Sequence, residues 1–311
     1  MPKLWRIDRR GVFFILLAGI SLLVFWPHVL ALVQFSLKSG HQYDQYSHTV
    51  LIPFVSLGLI YIERKRIFAD VRYSLGVGAI VLAASVLLGW FGRRFVLPPG
   101  SDGILSFEIL SLTIFWVGAF IFCYGTKAVR AGVFPLLFLL VMVPLPSALL
   151  DFPVAFVQHG SAGVTSVLFD LAGVPVLRSG FEFSLPGISI EVAKECSGIH
   201  STLALFIVSL LAGHLFLSSG WKKVILLLFV LPIVCLSNGL RIAGLTLLAV
   251  YVDSSFMYGS LHRRAGIGFF LLALLFLSAV LHPLRKGEGP MSLGGKSPRS
   301  EERVTATPAK G

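Results

Sequence analysis

The chain has 311 residues, 56% of them hydrophobic and only 13% charged, and its mean hydropathy is +0.86. An ordinary soluble domain carries about 25% charged residues, so this composition excludes that class and specifies an integral membrane protein whose first partner is the lipid bilayer. The net charge of +11 does not point to nucleic acid, because the basic residues fall in short clusters between apolar runs, the pattern that orients membrane helices.

A hydrocarbon core of about 30 Å needs roughly 20 mostly apolar residues per helix. By that measure the sequence predicts spans at 11–33, 49–62, 75–91, 104–124, 131–150, 199–217, 224–237 and 265–284. The expected fold class is all-α, a polytopic transmembrane bundle of about eight spans with one or two interfacial or re-entrant helices. The first run is too long for the core of a signal peptide and reads as a retained anchor. Residues 152–176 are only moderately apolar, carrying Gln158, His159 and Asp170, and read as interfacial or re-entrant; a true crossing there would invert everything downstream. The stretch 181–192, bounded by Gly180 and Pro186-Gly187, is strand-like. The run 242–252 is too short to span and is expected as a half-helix. Residues 1–287 form the expected membrane domain and 288–311, rich in Gly, Ser, Pro and charge, a disordered cytoplasmic tail.

Placing the N-terminus inside puts 18 of the 26 Lys and Arg residues on the cytoplasmic side, the sidedness rule for loops near span ends. Both termini are then cytoplasmic in a multi-pass protein of the cytoplasmic (inner) membrane. Three polar islands fall on the opposite, outer face: Glu195-Cys196-Ser197-Gly198, Asn238-Gly239-Leu240-Arg241, and the segment from His262 to Gly266.

The islands hold the parts of a thiol acyl-transfer site. Cys123 and Cys235 sit inside apolar runs, where cysteine is a small buried hydrophobe, and no C-x-x-C pair suggests a metal or redox centre. Cys196 instead precedes a helix start, where the positive dipole end favours a thiolate; Glu195 beside it would act in the other direction. Arg241 costs about 2.5–3.5 kcal/mol to place at the centre of a membrane helix. It is therefore either an interfacial arginine reaching headgroups or a fixed cation for a thiolate or an oxyanion. Asn238 and Gly239 would allow the helix to end beside it. For the base, His200 follows Cys196 by four residues and shares its helix face, while His262 opens the last span; spacing alone favours His200. The sequence Gly160-Ser161-Ala162-Gly163 does not match an intramembrane serine-protease order and reads as small-residue helix packing.

Together these segments resemble the exosortase and archaeosortase family of membrane-embedded cysteine transpeptidases. The resemblance runs through Tyr46-Ser47-His48, Val141-Met142-Val143-Pro144-Leu145-Pro146, Gly173-Val174-Pro175-Val176, Leu185-Pro186-Gly187, Glu191-Val192-Ala193, Glu195-Cys196-Ser197-Gly198, Asn238-Gly239-Leu240-Arg241 and His262-x-x-x-Gly266. It implies Cys196 as nucleophile, Arg241 as electrostatic stabiliser and His262, over His200, as acid/base, with Glu195, Ser197, Gly198, Asn238 and Gly266 in support. It also implies substrate proteins whose C-terminus carries a short motif, a transmembrane helix and a basic cluster. In the bacterial branch the motif is of the Pro-Glu-Pro type, linked to exopolysaccharide production. No cofactor or metal is expected. Two other functions compete: a transporter, which should show repeat-related halves, and a polysaccharide polymerase or flippase, which would use outer cations such as Arg93, Arg94 and Arg178 and leave Cys196 dispensable.

Overall fold

The computed structural model describes residues 9–37, 46, 48–96, 102–185, 187–192, 199–253 and 260–286. Helices dominate, joined by one small sheet. In chain order they are α1 (Arg9–Val24), α2 (Trp26–Leu37), α3 (Leu51–Ile62), α4 (Arg64–Ile67), α5 (Leu75–Phe91), α6 (Asp102–Ala131), α7 (Val133–Phe138), α8 (Ser147–Leu171), β1 (Leu177–Ser179), β2 (Glu182–Leu185), β3 (Ile188–Glu191), α9 (Ile199–Phe216), α10 (Gly220–Leu228), α11 (Val230–Tyr251) and α12 (Ser260–Arg285).

Among the described residues, four stretches are long and apolar enough to cross a bilayer: Leu75–Arg94, Gly103–Ala131, Gly220–Tyr251 and Gly266–Arg285. Three shorter apolar helices, Leu51–Ile62, Val133–Met142 and Ser201–Phe216, accompany them. The membrane bundle stands, but the described residues do not resolve into eight comparable spans, and each departure has a chemical cause.

The run 11–33 is no single straight span: α1 and α2 meet at 76°. Pro27 lacks the N–H that would bond the Leu23 carbonyl, and its ring crowds that carbonyl. The run 131–150 also breaks. Pro144 and Pro146 cannot donate to the preceding turn, and Val143, ahead of a proline, is driven to an extended ψ of 119°. The helix therefore stops at Met142 and a new one, α8, starts at Ser147, absorbing most of the stretch expected as interfacial. Conversely, no break occurs at Asn238-Gly239. Gly220–Tyr251 forms a 32-residue stretch that passes straight through the island, so the half-helix expected at 242–252 is the end of α11. A mid-helix glycine costs about 1 kcal/mol relative to alanine, but in lipid an unpaired backbone group costs more.

Small residues set the closest helix approaches. A Cβ on Gly78 of α5 would lie 2.6 Å from the Phe122 Cα of α6, and Ser111 Oγ donates to the Ser85 carbonyl (2.6 Å), so these two antiparallel helices touch backbone to backbone. Between α8 and α11, Cys235 packs at Gly160, Asn238 reaches Ser161, and Gly239 lies under Val164. Residue numbers rise together along this seam, so α8 and α11 run parallel. The sheet that follows α8 therefore lies at the same end of the bundle as the C-terminal half of α11. Phe169, Phe183, Leu185, Val192 and Ala243 share one buried cluster there. The sheet, ordered β1-β2-β3 and antiparallel throughout, adds a strand at Leu177–Ser179 to the strand-like stretch read from sequence.

Candidate active site

Arg241 does not end a helix; it stands within α11. Val234, Ser237, Asn238 and Arg241 recur at intervals of three and four, one stripe of that helix. The stripe faces Ser201 in the first turns of α9, and Gly266, Phe269, Phe270 and Ala273 on α12. The three helices line a small cleft that is partly open to the surroundings. Ser237 Oγ donates to the Phe269 carbonyl (2.6 Å), which sets the height of α12 against α11. A Cβ on Gly266 would lie 3.9 Å from Arg241 Nη1, so the guanidinium reaches across the cleft to α12 at the residue with no side chain.

Asn238 is buried and its Nδ2 donates to Ser161 Oγ (3.1 Å). Ser161 is itself fully buried, and its carbonyl accepts from Thr165 Oγ1 (2.8 Å). The seam read as small-residue packing thus also anchors one wall of the cleft. Ser201, Ser237 and the anchoring role of Ser161 escaped the sequence reading. Only Ser237 left a signal, one turn before Arg241.

The remaining members fall around this cleft to different degrees. His262 precedes Gly266 by four residues on α12. At 1.5 Å per residue that is about 6 Å along the axis, on the same helix face. His200 belongs to the first turn of α9, next to Ser201. Glu195, Cys196, Ser197 and Gly198 lie outside the described residues, as does the shared helix face of Cys196 and His200. The chain on either side is fixed. Val192 is buried, donates from its N–H to the Phe181 carbonyl (3.0 Å) and accepts from Gln158 Nε2 (2.6 Å), and α9 begins at Ile199. Covalent reach alone keeps the Cys196 Cα within about 11 Å of that of Ile199.

Arg241 lies 19 residues beyond Lys222 on the α10–α11 stretch, about 28 Å of helix rise, or roughly one hydrocarbon thickness.

A family model described as transmembrane exosortase matches residues 41–279. The chain belongs to the transmembrane exosortase family. Neither a curated protein nor a solved structure gives a match. The exosortase match covers every cleft-lining residue and each motif noted in the sequence. Distant motifs also meet in this fold: Tyr46 and Met142 pack in one cluster that also touches Ile207 of α9, while Val174, Leu185 and Val192 pack against Ala243 of α11. A sorting-type membrane enzyme is the coarse identity that follows.

Other candidates have structural roles. Cys123 and Cys235 are buried. His214 bonds Glu63 (2.5 Å) and stacks on Phe134. His159 bonds the Ala155 carbonyl (2.8 Å). Arg93 forms a two-pronged pair with the fully buried Glu108, and Arg178 donates to the Gly180 carbonyl (3.0 Å) while lying over Phe183. Two of the three outer cations that a polysaccharide-handling site would need are thus engaged within the fold. Among the described residues no three His, Cys, Asp or Glu side chains come together as metal ligands would.

Proposed function

We propose that this protein is a membrane-embedded cysteine transpeptidase that cuts a C-terminal sorting signal, of the Pro-Glu-Pro type, at the outer face of the cytoplasmic membrane. The observation that carries the reading is the Arg241 cleft, walled by the beginnings of α9 and α12. The residues leading into α9 contain the only thiol set in a polar island, and the first turn of α12 contains His262.

In this reading the Cys196 thiolate attacks the scissile carbonyl, forming an S–C bond and a tetrahedral oxyanion. The Arg241 guanidinium, a rigid fork of donors that stays charged, faces that oxyanion. His262 holds the proton taken from the thiol and passes it to the leaving nitrogen as the C–N bond breaks, leaving a thioester and a free amine. Water or an acceptor amine then attacks the thioester and gives up a proton to His262, which passes it to the Cys196 sulfur as the S–C bond breaks.

Sidedness supports the outer location. Lys222 and Lys223 mark the cytoplasmic end of α10 by the basic-loop rule, so Arg241 falls at the far surface. Because α8 runs parallel to α11, the sheet shares that surface. The chain between Arg130 and the sheet then makes one net crossing, so the reassignment of 131–176 is compatible with the orientation read from loop charges.

The deciding experiment co-expresses the protein with a tagged reporter ending in a Pro-Glu-Pro motif, an apolar helix and a basic cluster. Wild type is expected to shorten the reporter and Cys196→Ala to leave it intact. Shortening by the alanine variant removes Cys196 from the chemistry.

A further inference from the structure

β3 is the strand that comes just before Cys196 in the sequence. β3 is the last strand in the order β1-β2-β3, so among the described residues only β2 pairs with it. Its last residue, Glu191, precedes Cys196 by five residues.

The register states which backbone groups face outward. The pairs Ser179↔Glu182 and Leu185↔Ile188 each close a connection of two residues. A pair that closes such a hairpin exchanges both N–H and C=O bonds, and bonded and non-bonded pairs then alternate. On β2, Glu182 and Ser184 therefore bond toward β1, and Phe183 and Leu185 toward β3. On β3, Ile188 and Ile190 bond toward β2. The N–H and C=O of Ser189 and Glu191 are left directed to the open edge. The bond from the Val192 N–H to the Phe181 carbonyl continues the same alternation one pair further (3.0 Å). Side chains follow suit: Ile188 and Ile190 pack toward the buried cluster under the sheet, while Ser189 and Glu191 are exposed.

We infer that the substrate binds as a fourth strand on the edge of β3, its backbone pairing with Ser189 and Glu191, so that the residues before the scissile bond are led in extended form to Cys196. The inference rests on the cysteine transpeptidase reading above. Strand addition is a general route for capturing extended peptides, in which backbone pairing supplies affinity. A peptide that lies along β3 and then reaches Cys196 runs in the direction of β3 itself. A Pro-Glu-Pro motif is compatible with this mode. Prolines two residues apart lose their N–H groups on one edge of an extended segment only. The glutamate between them keeps its N–H and C=O on the opposite edge, free to face β3.

Two arms test this separately from the chemistry. In the first, Ser189→Cys is combined with Cys196→Ala, so that an uncut reporter can dwell, and single cysteines are walked along the reporter upstream of its motif. Mild oxidation is expected to give disulfide crosslinks at positions two residues apart and weak ones between them. No crosslinks, or crosslinks without that alternation, overturn the proposal whether or not Cys196 is the nucleophile. In the second, Ser189→Pro removes one outward N–H at a place where the β2 ladder does not use it, and Ser189→Ala keeps that N–H. Reporter cleavage is expected to fall about tenfold in the proline variant and to stay within twofold of wild type in the alanine variant. Equal cleavage by both overturns the proposal; loss in both marks the side chain rather than the backbone and overturns it as well. If the reporter is cut normally by Cys196→Ala, the transpeptidase reading falls instead, and the crosslinking pattern still reports on β3.

Discussion

A guanidinium held between α11 and α12 is a charge whose geometry matters as much as its sign. Arg241 faces Gly266 across a cleft lined by Ser237 and Asn238. Lysine would keep the charge but lose the planar fork. Arg241→Lys is therefore expected to lower reporter cleavage by about 10² or more, the typical loss when an oxyanion donor is removed; cleavage near the wild-type rate would demote Arg241 to a membrane anchor. The thiols should separate as sharply. Cys196→Ala is expected to abolish cleavage, while Cys123→Ser and Cys235→Ala stay within a few-fold, because both of those sulfurs are buried in helix contacts. The histidines divide on position. His262 shares a face of α12 with Gly266 and lies one turn nearer the helix start, where a proton can reach a leaving amine. His200 sits beside Ser201 on α9, a helix that leads away from the cysteine segment. His262→Ala is expected to stop cleavage and His200→Gln to leave most of it, measured side by side at matched expression; the reverse order would transfer the acid/base role to His200.

At the level of elements, the seam between α8 and α11 holds one wall of the cleft in place. A Cβ on Gly239 would lie 2.5 Å from Val164 Cγ1 and 3.2 Å from the Ser161 carbonyl oxygen. Overpacking of this kind costs typically 1–3 kcal/mol. Gly239→Ala is expected to lower both thermal stability in detergent and cleavage, with Val164→Gly in the same chain restoring part of each, because both nearest obstacles, Val164 Cγ1 at 2.5 Å and Cβ at 2.7 Å, belong to that side chain. Gly78→Ala meets the Phe122 backbone at 2.6 Å, and trimming Phe122 should not rescue it. If Val164→Gly fails to rescue Gly239→Ala, the seam does not govern the cleft as described. The same elements show why patterning misled. Hydropathy alone merged 131–150 across Pro144 and Pro146 and split α11 at Asn238-Gly239. Pro144 and Pro146 remove two donors from one turn and stop the helix there, while the single Pro153 is carried inside α8; glycine only weakens a helix, and a neighbouring helix that needs the space offsets the weakness.

For the whole molecule, orientation is the testable property. Reporter domains fused after Lys65 and after Lys286 are expected to read cytoplasmic, and those near Tyr43, at Gly180 and after Ser255 extracytoplasmic. The Gly180 fusion tests the parallel pairing of α8 and α11, and a cytoplasmic reading there would separate the sheet from the Arg241 end of the bundle. The membrane class, the basic-loop asymmetry and the polar islands at Cys196, Arg241 and His262 were legible in the sequence. Each depends on local chemistry: the cost of burying charge in lipid, the attraction of basic loops to one side, the rarity of a thiol among polar neighbours. The family followed from the order of those islands. What required the tertiary structure was every relation between distant segments: the parallel run of α8 beside α11, the Asn238–Ser161 bond across 77 positions, the meeting of Arg241 with Gly266, and the edge that β3 presents. In lipid, apolar surface does not report which helix faces which, since a lipid-facing leucine and a core-facing one satisfy the same solvent. Glycines, serines and single hydrogen bonds decide those contacts, and their partners are set by how the helices pack.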